Sequence, residues 1–425
     1  MIRMIHFAVK AALIGMVSVA FLNQLLADPP ADSASAVVAL KKYLADSPEK
    51  RPPIATQGFA RLPLNKKDAA LATKLLQEDH HQRIRKERAA EMKARSLSID
   101  NVVMPFFYKV FGEKPKQGRN LFISMHGGGG APKQVNDQQW NNQKRLYAPK
   151  EGVYLVPRAP TNTWNLWHQG HIDPLFNRLI ENLIVFENVN PDRVYLMGYS
   201  AGGDGVYQLA PRMADSLAAA SMMAGHPNET SPLGLRNLPF SIHVGGDDGA
   251  YNRNKVAGQW KQKLEELAKA DPKGYVHWAK IYQGKGHWLN REDAAAIPWM
   301  AKFDRNRFPE RVVWKQDDVT HGRFYWLAVA DDQRKARSEV VAERDGQHFK
   351  IQRCQVNSLK LRFCDEFVDL DQPIVITFGG KQQFKGVVQR TIAVLAETLA
   401  ERGDPRMMFS AEVTVDTAVE IPSTD

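Results

Sequence analysis

The chain has 425 residues, which is too long for one ordinary domain, because single hydrophobic cores stop growing near about 250 to 300 residues. Apolar residues make up 44% and charged residues 24%, and this composition excludes a disordered chain. The formal net charge of +10 indicates attraction to anionic surfaces. The densest basic stretch, residues 80–95, interleaves its charges with apolar and alanine positions and precedes no nucleic-acid-binding motif, so nucleic acid is not predicted as a partner.

Residues 1–27 have the pattern of an export signal. Arg3 and Lys10 supply positive charge, residues 11–22 are almost wholly apolar, and the small residue Ala27 precedes a polar segment. This apolar run is shorter than the about 20 residues that a membrane span needs. We therefore predict cleavage near Ala27 and a secreted or periplasmic protein with no stable membrane anchor after signal cleavage.

Changes of composition and periodicity divide the rest of the chain into three segments. Residues 28–103 are predicted to form an N-terminal helical arm, with a helix over about residues 66–96. Residues 104–308 alternate short β-rich runs with amphipathic stretches, which predicts a mostly parallel sheet with helices on both faces. Residues 309–425 show two-residue periodicity, which predicts a small C-terminal, mostly antiparallel β domain with one helix near residues 390–402.

Only two cysteines occur, Cys354 and Cys364, so the fold does not depend on a disulfide framework. A tight turn at Asn357 and Ser358 would join the flanking β-rich runs into a hairpin. In such a hairpin the two thiols face opposite sides of the sheet, and whether they pair is left open.

The strongest chemical signal is the pentapeptide Gly198-Tyr199-Ser200-Ala201-Gly202, which follows a β-rich run and precedes a helical one. It fits the G-x-S-x-G pattern, in which a strand reverses sharply into a helix and holds the central serine in a strained conformation. The residues two positions to either side must then be small. We predict that Ser200 is a nucleophile raised to the edge of the sheet.

A second signal is a run of glycines, residues 127–130, that follows His126 and another β-rich run. A phosphate-binding loop is not predicted, because no lysine followed by serine or threonine comes after the glycines. Contiguous glycines instead let backbone N–H groups converge on a developing negative oxygen. The predicted donors of this oxyanion hole are the N–H groups of Gly128, Gly129 and Ala201.

An aspartate and His287 complete a serine, acid, histidine order along the chain. Asp247 and Asp248 follow one β-rich run and His287 follows the next, so each reaches the carboxyl edge of the sheet, where α/β sheets bind ligands. We prefer Asp248 because it stands three residues after Gly245, as in the G-x-x-D loops of many hydrolases, and Asp247 remains open. His287 would take the serine proton while the carboxylate fixes its tautomer.

Aromatic residues and a histidine near these motifs are candidate substrate contacts. Trp164 and Trp167 follow a β-rich run and can either stack on a sugar or aromatic group or pack in the core. Trp288 directly follows the predicted base, and His226 follows another run that leads to the same edge. These four residues are the predicted substrate-binding set.

Neither a metal nor a cofactor is predicted. His168, His171 and Asp173 stand close together in the sequence, but no coherent third strong ligand for zinc accompanies them.

At these residues the sequence resembles the α/β-hydrolase superfamily, and within it the exported poly(3-hydroxybutyrate) depolymerase-like and feruloyl or acetyl-xylan esterase-like branch. The resemblance covers residues 104–303. It implies the α/β-hydrolase fold, Ser200 as nucleophile, Asp248 as acid, His287 as base and an acyl-enzyme intermediate. The sequence departs from polymer-degrading members in lacking a separate polymer-binding domain and a cysteine-stapled active site.

The expected function is that of a secreted serine hydrolase which cleaves the carboxylic ester bond of a small-molecule or polysaccharide-linked substrate. Two alternatives remain open. One is a prolyl-oligopeptidase-like serine peptidase, which uses the same residue order but usually carries a large additional domain ahead of the hydrolase domain. The other is a catalytically dead hydrolase scaffold that binds carbohydrate. The acyl and alcohol groups, the oligomeric state and the role of the C-terminal segment are not predicted.

Overall fold

The computed structural model describes residues 32–418, and the predicted export signal at residues 1–27 lies outside this range. No helix within the range is both long and apolar enough to cross a membrane. The described residues belong to one compact unit, within which the segment boundaries at residues 103 and 308 stay predictions.

The N-terminal segment is mainly helical. Its elements are α1 (Ser33–Ala45), α2 (Lys66–Glu87), α3 (Ala89–Ala94) and the short strand β1 (Ser96–Ile99). The helix predicted over residues 66–96 is present as α2 and α3, which are separated where the backbone of Arg88 departs from helical geometry. Helix α2 begins after Asn65, whose side chain accepts a hydrogen bond from the N–H of Asp68, as an N-cap does.

The central sheet has eight strands in the order β1-β2-β4-β3-β5-β6-β7-β8. Its further strands are β2 (Val102–Phe111), β3 (Arg119–Met125), β4 (Gly152–Pro157), β5 (Val189–Tyr199), β6 (Ala219–Met223), β7 (Phe240–Gly245) and β8 (His277–Tyr282). From β4 to β8 all neighbours are parallel, which confirms the mostly parallel sheet. The run that forms β2 was also predicted to be parallel, and it is antiparallel to β4. Residues 112–118, which lead from β2 to β3, are too few for the crossover of about a dozen residues that a parallel connection requires.

Helices cover both faces of the central sheet. They are α4 (Lys133–Gln143), α5 (Ile172–Glu187), α6 (Ala201–Arg212), α7 (Arg253–Ala270) and α8 (Ala296–Met300). Side chains alternate along β3, so that Leu121 and Ile123 join the core beneath α5, α6 and α7, whereas Phe122 joins the core beneath α4 and α8. The sequence did not predict α4, because its polar residues leave it without an apolar stripe.

The C-terminal segment contains two further sheets. Its elements are β9 (Arg311–Lys315), β10 (Arg323–Phe324), β11 (Leu327–Ala328), β12 (Glu339–Asp345), β13 (His348–Cys354), β14 (Ser358–Phe363), β15 (Ile374–Phe378), β16 (Lys381–Gly386), α9 (Ile392–Arg402) and β17 (Ala411–Asp416). The sheet orders are β16-β15-β13-β12-β9 and β10-β11-β14-β17. Among the strands described up to residue 418, only β13 and β15 pair in parallel, so the mostly antiparallel prediction is confirmed.

The hairpin considered at Asn357 and Ser358 does not form, because β13 and β14 lie in different sheets. The apolar faces of these strands pack against each other instead, with the rings of Phe349 and Phe363 5.1 Å apart. Both strands thereby bury their apolar side, which a hairpin alone would leave exposed. Cys354 and Cys364 are both free thiols.

Candidate active site

Ser200 occupies a sharp turn between β5 and α6. Its φ of 57° and ψ of −123° are rare for a residue with a side chain. A Cβ on Gly198 would lie 2.2 Å from the carbonyl oxygen of Gly202, and a Cβ on Gly202 would lie 2.2 Å from that of Met125. The turn therefore requires glycine on both sides of the serine.

The hydroxyl of Ser200 lies 2.9 Å from Nε2 of His287, and Nδ1 of His287 lies 2.8 Å from Oδ2 of Asp248. A carboxylate only accepts hydrogen bonds, so this arrangement favours the tautomer in which Nδ1–H donates to Asp248 and Nε2 accepts from the serine. Asp248 is 2% exposed, and its other oxygen lies 3.6 Å from the guanidinium of Arg253. The side chain of Asp247 is exposed and does not take part.

Two glycines let the loops that carry Asp248 and His287 approach each other closely. A Cβ on Gly245, at the end of β7, would lie 2.0 Å from the carbonyl oxygen of Gly286, which directly precedes His287. The two loops can approach this closely only because Gly245 has no side chain. The N–H of Asp248 donates to the carbonyl of Gly245 at 3.1 Å and fixes the acid at the start of its loop.

The serine, acid and histidine thus follow the carboxyl ends of β5, β7 and β8, with the serine on the turn from a central strand into a helix. Together with the antiparallel β2 and the otherwise parallel order of the following strands, this turn decides the fold. The chain has the α/β-hydrolase fold. The fold prediction is therefore confirmed for the central sheet and its helices.

No protein-family model matches this α/β-hydrolase chain. Over 181 residues it is 30% identical to a bifunctional acetylxylan esterase/xylanase, XynS20E, of Neocallimastix patriciarum, and the match covers 41% of this chain and 25% of that protein. The chain thus spans about a quarter of the length of the curated relative it matches.

Several solved structures share part of the architecture. A thermostable esterase has a TM-score of 0.39 and 17% identity, over 49% of this chain and 62% of its own. A ferulic acid esterase has a TM-score of 0.35 and 16% identity, over 49% and 96%. An acetyl xylan esterase from Aspergillus awamori has a TM-score of 0.33 and 12% identity, over 46% and 93%.

The glycine loop of the α/β-hydrolase domain is held by the buried imidazole of His126. Its Nδ1 lies 2.6 Å from the carbonyl oxygen of Gly127, and its Nε2 accepts from the N–H of Ala159 at 3.1 Å. Burial lowers the pKa of His126 to about 3, so the ring is neutral near pH 7 and Nδ1–H donates to Gly127. A trans peptide directs its carbonyl and its N–H to opposite sides. Fixing the Gly127 carbonyl therefore also fixes the direction of the Gly128 N–H.

The three predicted oxyanion-hole donors differ in whether their N–H groups are available. Gly128 lines the same cavity as Ser200, whereas the N–H of Gly129 donates to Oδ1 of Asn136 at 2.9 Å. The prediction for Gly129 is wrong for this reason, because its donor is already engaged. Ala201 is the first residue of α6, where a backbone N–H has no acceptor within the helix.

A cavity of about 800 Å³ opens beside the serine. Besides Ser200 and His287 it is lined by Gly127, Gly128, Gln139, Asn142, Gln143, Arg145, Leu146, Tyr199, Trp288 and Arg291. Trp288 is half exposed and packs against Tyr199, with ring centroids 5.8 Å apart. Part of the lining is therefore aromatic, and the part from α4 and the turn after it carries amides and an arginine.

The other predicted substrate contacts lie elsewhere. Trp167 is fully buried and its indole N–H donates to the carbonyl of His126 at 2.9 Å, so predicting it as a substrate contact was wrong. Its place is beneath the glycine loop, which it supports. Trp164 is 62% exposed beside Gly130 but does not line the cavity. His226 is also outside the lining, and its backbone N–H donates to Asp204 at 2.6 Å.

One group of carboxylates in the described residues is close enough to consider for a metal ion. Glu229, Asp317 and Asp318 each offer an oxygen within 4.8 Å of the others. Arg337 pairs with both Glu229 and Asp317, so one guanidinium offsets part of the negative charge there. The group lies outside the cavity that contains Ser200.

Most of the polar residues that line the cavity could not be predicted from the sequence. Arg145, Gln139 and Asn142 carry no motif and belong to the polar helix α4 and the turn after it. Arg291 could have been noticed, since it follows His287 by four residues on the same loop. Arg253, beside Asp248, gave no signal either, because its proximity depends on the turn that leads into α7.

The buried carboxyl of Asp204, in the first turn of α6, predicts a specific pH dependence of stability. Burial raises the pKa of Asp204 to about 6, and the N–H of His226 and the charge of Arg253 offset this only in part. At pH values between 3.8, the ordinary pKa of the carboxyl, and about 6, its pKa in the folded protein, the folded state binds more protons than the unfolded state. The stability that this group contributes is therefore complete below pH 4 and is lost as the pH rises through about 6.

Replacing Asp204 by asparagine is expected to flatten this part of the pH profile, because the amide keeps an acceptor for His226 without a charge. Relative to wild type, the free energy of unfolding of Asp204→Asn should rise by on the order of 2 kcal/mol between pH 4 and pH 8. Denaturant unfolding at a series of pH values measures it, with the exposed Asp247→Asn as control. Parallel profiles for wild type and Asp204→Asn would refute the prediction.

Proposed function

We propose that this chain is a serine hydrolase that cleaves carboxylic ester bonds, with Ser200 as nucleophile, His287 as base and Asp248 as acid. The observation that carries the proposal is the continuous hydrogen-bond path from the Ser200 hydroxyl through His287 to the buried Asp248, at the wall of an open cavity. A serine alcohol is a weak nucleophile until a base within hydrogen-bonding distance takes its proton. The path supplies this base.

The reaction would proceed in two steps. Ser200 Oγ attacks the ester carbonyl as Nε2 of His287 accepts its proton, and the imidazolium then protonates the leaving alcohol to give an acyl-enzyme. A water molecule, deprotonated by the same nitrogen, then attacks the acyl-enzyme. The imidazolium returns this proton to Ser200 Oγ as the ester bond to the serine breaks, which releases the acid and restores the free enzyme. Asp248 keeps the imidazole in the required tautomer and stabilises its positive charge.

The negative oxygen that forms in each step would be stabilised by backbone N–H groups. We assign this role to Gly128 and Ala201, since Gly128 lines the cavity and Ala201 stands at the amino terminus of α6. Partial positive charge at a helix amino terminus adds to the effect. Loss of one such donor typically costs on the order of 3 kcal/mol of transition-state stabilisation.

The substrate is proposed to be an ester on a small molecule or on a polysaccharide. The half-exposed Trp288 offers a flat apolar surface at the cavity, suited to a sugar ring or an aromatic group. The acetylxylan esterase activity for which the matched protein is named also favours an ester of this kind. Export to the periplasm or the medium is proposed from the amino-terminal sequence pattern alone.

A single set of assays tests the proposal. The purified chain is treated with a fluorophosphonate probe and assayed on short 4-nitrophenyl esters and on a prolyl peptide substrate. Labelling and ester turnover are expected in wild type and in the exposed control Ser47→Ala, and both should be absent in Ser200→Ala. Labelling with turnover of the peptide alone would indicate a peptidase, and no labelling of wild type would indicate a scaffold that only binds.

A further inference from the structure

The cavity beside Ser200 contains two arginines and no carboxylate. Arg145 follows α4 and Arg291 follows the His287 loop, so the two side chains come from separate parts of the chain. No aspartate or glutamate lies among the residues that line this cavity. The space that receives the substrate is therefore bounded by positive charge that the lining does not balance.

This lack of partners is unusual in the described part of the chain, where most arginines form a salt bridge. Neither Arg145 nor Arg291 does so with any residue from 32 to 418. The acidic residues that follow Arg291 are engaged elsewhere, because Glu292 pairs with Lys285 at 3.0 Å and Asp293 accepts from Tyr147.

An acidic residue of α4, the helix that precedes Arg145, is also paired with other side chains. Asp137, on α4, is held by Arg158 at 2.9 Å and by Lys133 at 2.5 Å. Within residues 32–418 the exposed side chain of Arg145 has neither a hydrogen-bond nor a salt-bridge partner, so its guanidinium donors are free for a ligand.

The backbone at Arg291 adds an independent observation. Its φ of 65° lies in the left-handed region, which arginine rarely adopts. Strain of this kind persists when the surroundings fix it, and it is concentrated at functional sites. At Arg291, four residues after His287, this left-handed conformation fixes the direction in which the side chain leaves the backbone.

We propose that the ester substrate carries a carboxylate in addition to its ester bond, and that Arg145 and Arg291 bind this carboxylate; the inference rests on the proposed function. Guanidinium groups match a carboxylate geometrically and form charge-assisted hydrogen bonds with it. The amides of Gln139 and Asn142 in the same lining supply further donors. The carboxylate takes no part in the chemistry, and hydrolysis leaves it unchanged on the acid or on the alcohol product.

Two substrate pairs test the proposal and distinguish the two positions of the carboxylate. On the acyl side, the 4-nitrophenyl monoester of adipic acid is compared with its uncharged adipamate analogue. On the alcohol side, 4-acetoxybenzoate is compared with 4-acetoxybenzamide. In at least one pair kcat/KM is expected to be at least about tenfold higher for the anionic ester, which corresponds to one charge-assisted contact.

Variants then assign the preference to the two arginines. Arg145→Gln and Arg291→Gln are each expected to lower the anionic-to-neutral ratio of kcat/KM about threefold, mainly through KM, and the double variant should bring it near one. Arg→Lys at either position should retain part of the ratio, since charge is kept but the planar fork is lost. The matched control is Arg61→Gln, an exposed arginine in the N-terminal segment, which should keep the wild-type ratio.

The outcomes separate the two proposals. If Ser200-dependent turnover is present but the ratio is near one in both pairs, the inference is overturned and the proposed function stands. An equal loss on charged and neutral esters in the glutamine variants also overturns the inference. If wild type hydrolyses none of the four esters, the proposed function fails, and the inference fails with it.

Discussion

Asp248→Asn is expected to lower kcat about 10⁴-fold, with little change in KM. Asparagine can turn its NH₂ group towards Nδ1 of His287, which stabilises the wrong tautomer and puts the ring proton on the nitrogen that must accept from Ser200. Asp247→Asn, one residue earlier and exposed, should keep kcat within about twofold of wild type. Steady-state kinetics on a neutral 4-nitrophenyl ester measures both.

A control for folding is needed because Asp248 also lies 3.6 Å from Arg253. Thermal unfolding and fluorophosphonate labelling of Asp248→Asn therefore accompany the kinetics, and slow labelling by a folded protein is expected. A loss of similar size in Asp247→Asn, or a kcat of Asp248→Asn within tenfold of wild type, would contradict the assignment of Asp248 as the acid.

Local patterns were enough to predict the parts of the site that depend on short-range sterics. The serine turn is an example, because Gly198 and Gly202 are required by contacts within five residues of sequence and with the neighbouring strand. The choice of Asp248 over Asp247 also rested on local spacing. That choice stays a prediction; in the structure, the close approach of Gly245 to Gly286 joins loops about 40 residues apart, and Asp248 lies 2.8 Å from His287.

The parts that the sequence could not predict depend on packing between distant segments. Trp167 and Trp164 stand in one aromatic stretch with the same local signals, yet one is fully buried and the other is 62% exposed. The engagement of Gly129 by Asn136 depends on where α4 packs, and α4 has no apolar stripe to predict it. The positions of Arg145 and Arg291 at one cavity likewise follow from tertiary structure alone.

Packing between distant segments also determines how the C-terminal segment relates to the hydrolase fold. The change of periodicity in the sequence predicts a separate domain there. One apolar core in fact continues from the central sheet into the C-terminal strands. A buried carboxylate joins the same parts: Oδ2 of Asp215, after α6, lies 2.7 Å from Arg402 on α9 and 3.4 Å from Arg323, and it accepts from the N–H of Tyr325. Burial alone would raise the pKa of Asp215, but these arginines hold it below its usual value.

Asp215→Ala is therefore expected to destabilise the protein strongly, by about 3 to 5 kcal/mol, because it leaves the buried guanidinium of Arg402 without its carboxylate. Glu265→Ala, which removes an exposed partner of Lys261 on α7, should leave the free energy of unfolding almost unchanged. Denaturant unfolding followed by tryptophan fluorescence measures both variants.

The double variant Asp215→Leu/Arg402→Met distinguishes an unpaired charge from a simple loss of packing. If the cost of Asp215→Ala comes from the uncompensated guanidinium, replacing both partners by apolar side chains of similar volume should recover most of the lost stability. If the double variant is as unstable as Asp215→Ala, the cost comes instead from packing or from the other partners of Asp215, namely Arg323 and the N–H of Tyr325. A midpoint for Asp215→Ala close to that of Glu265→Ala would show that the ion pair does not hold the C-terminal segment to the hydrolase fold.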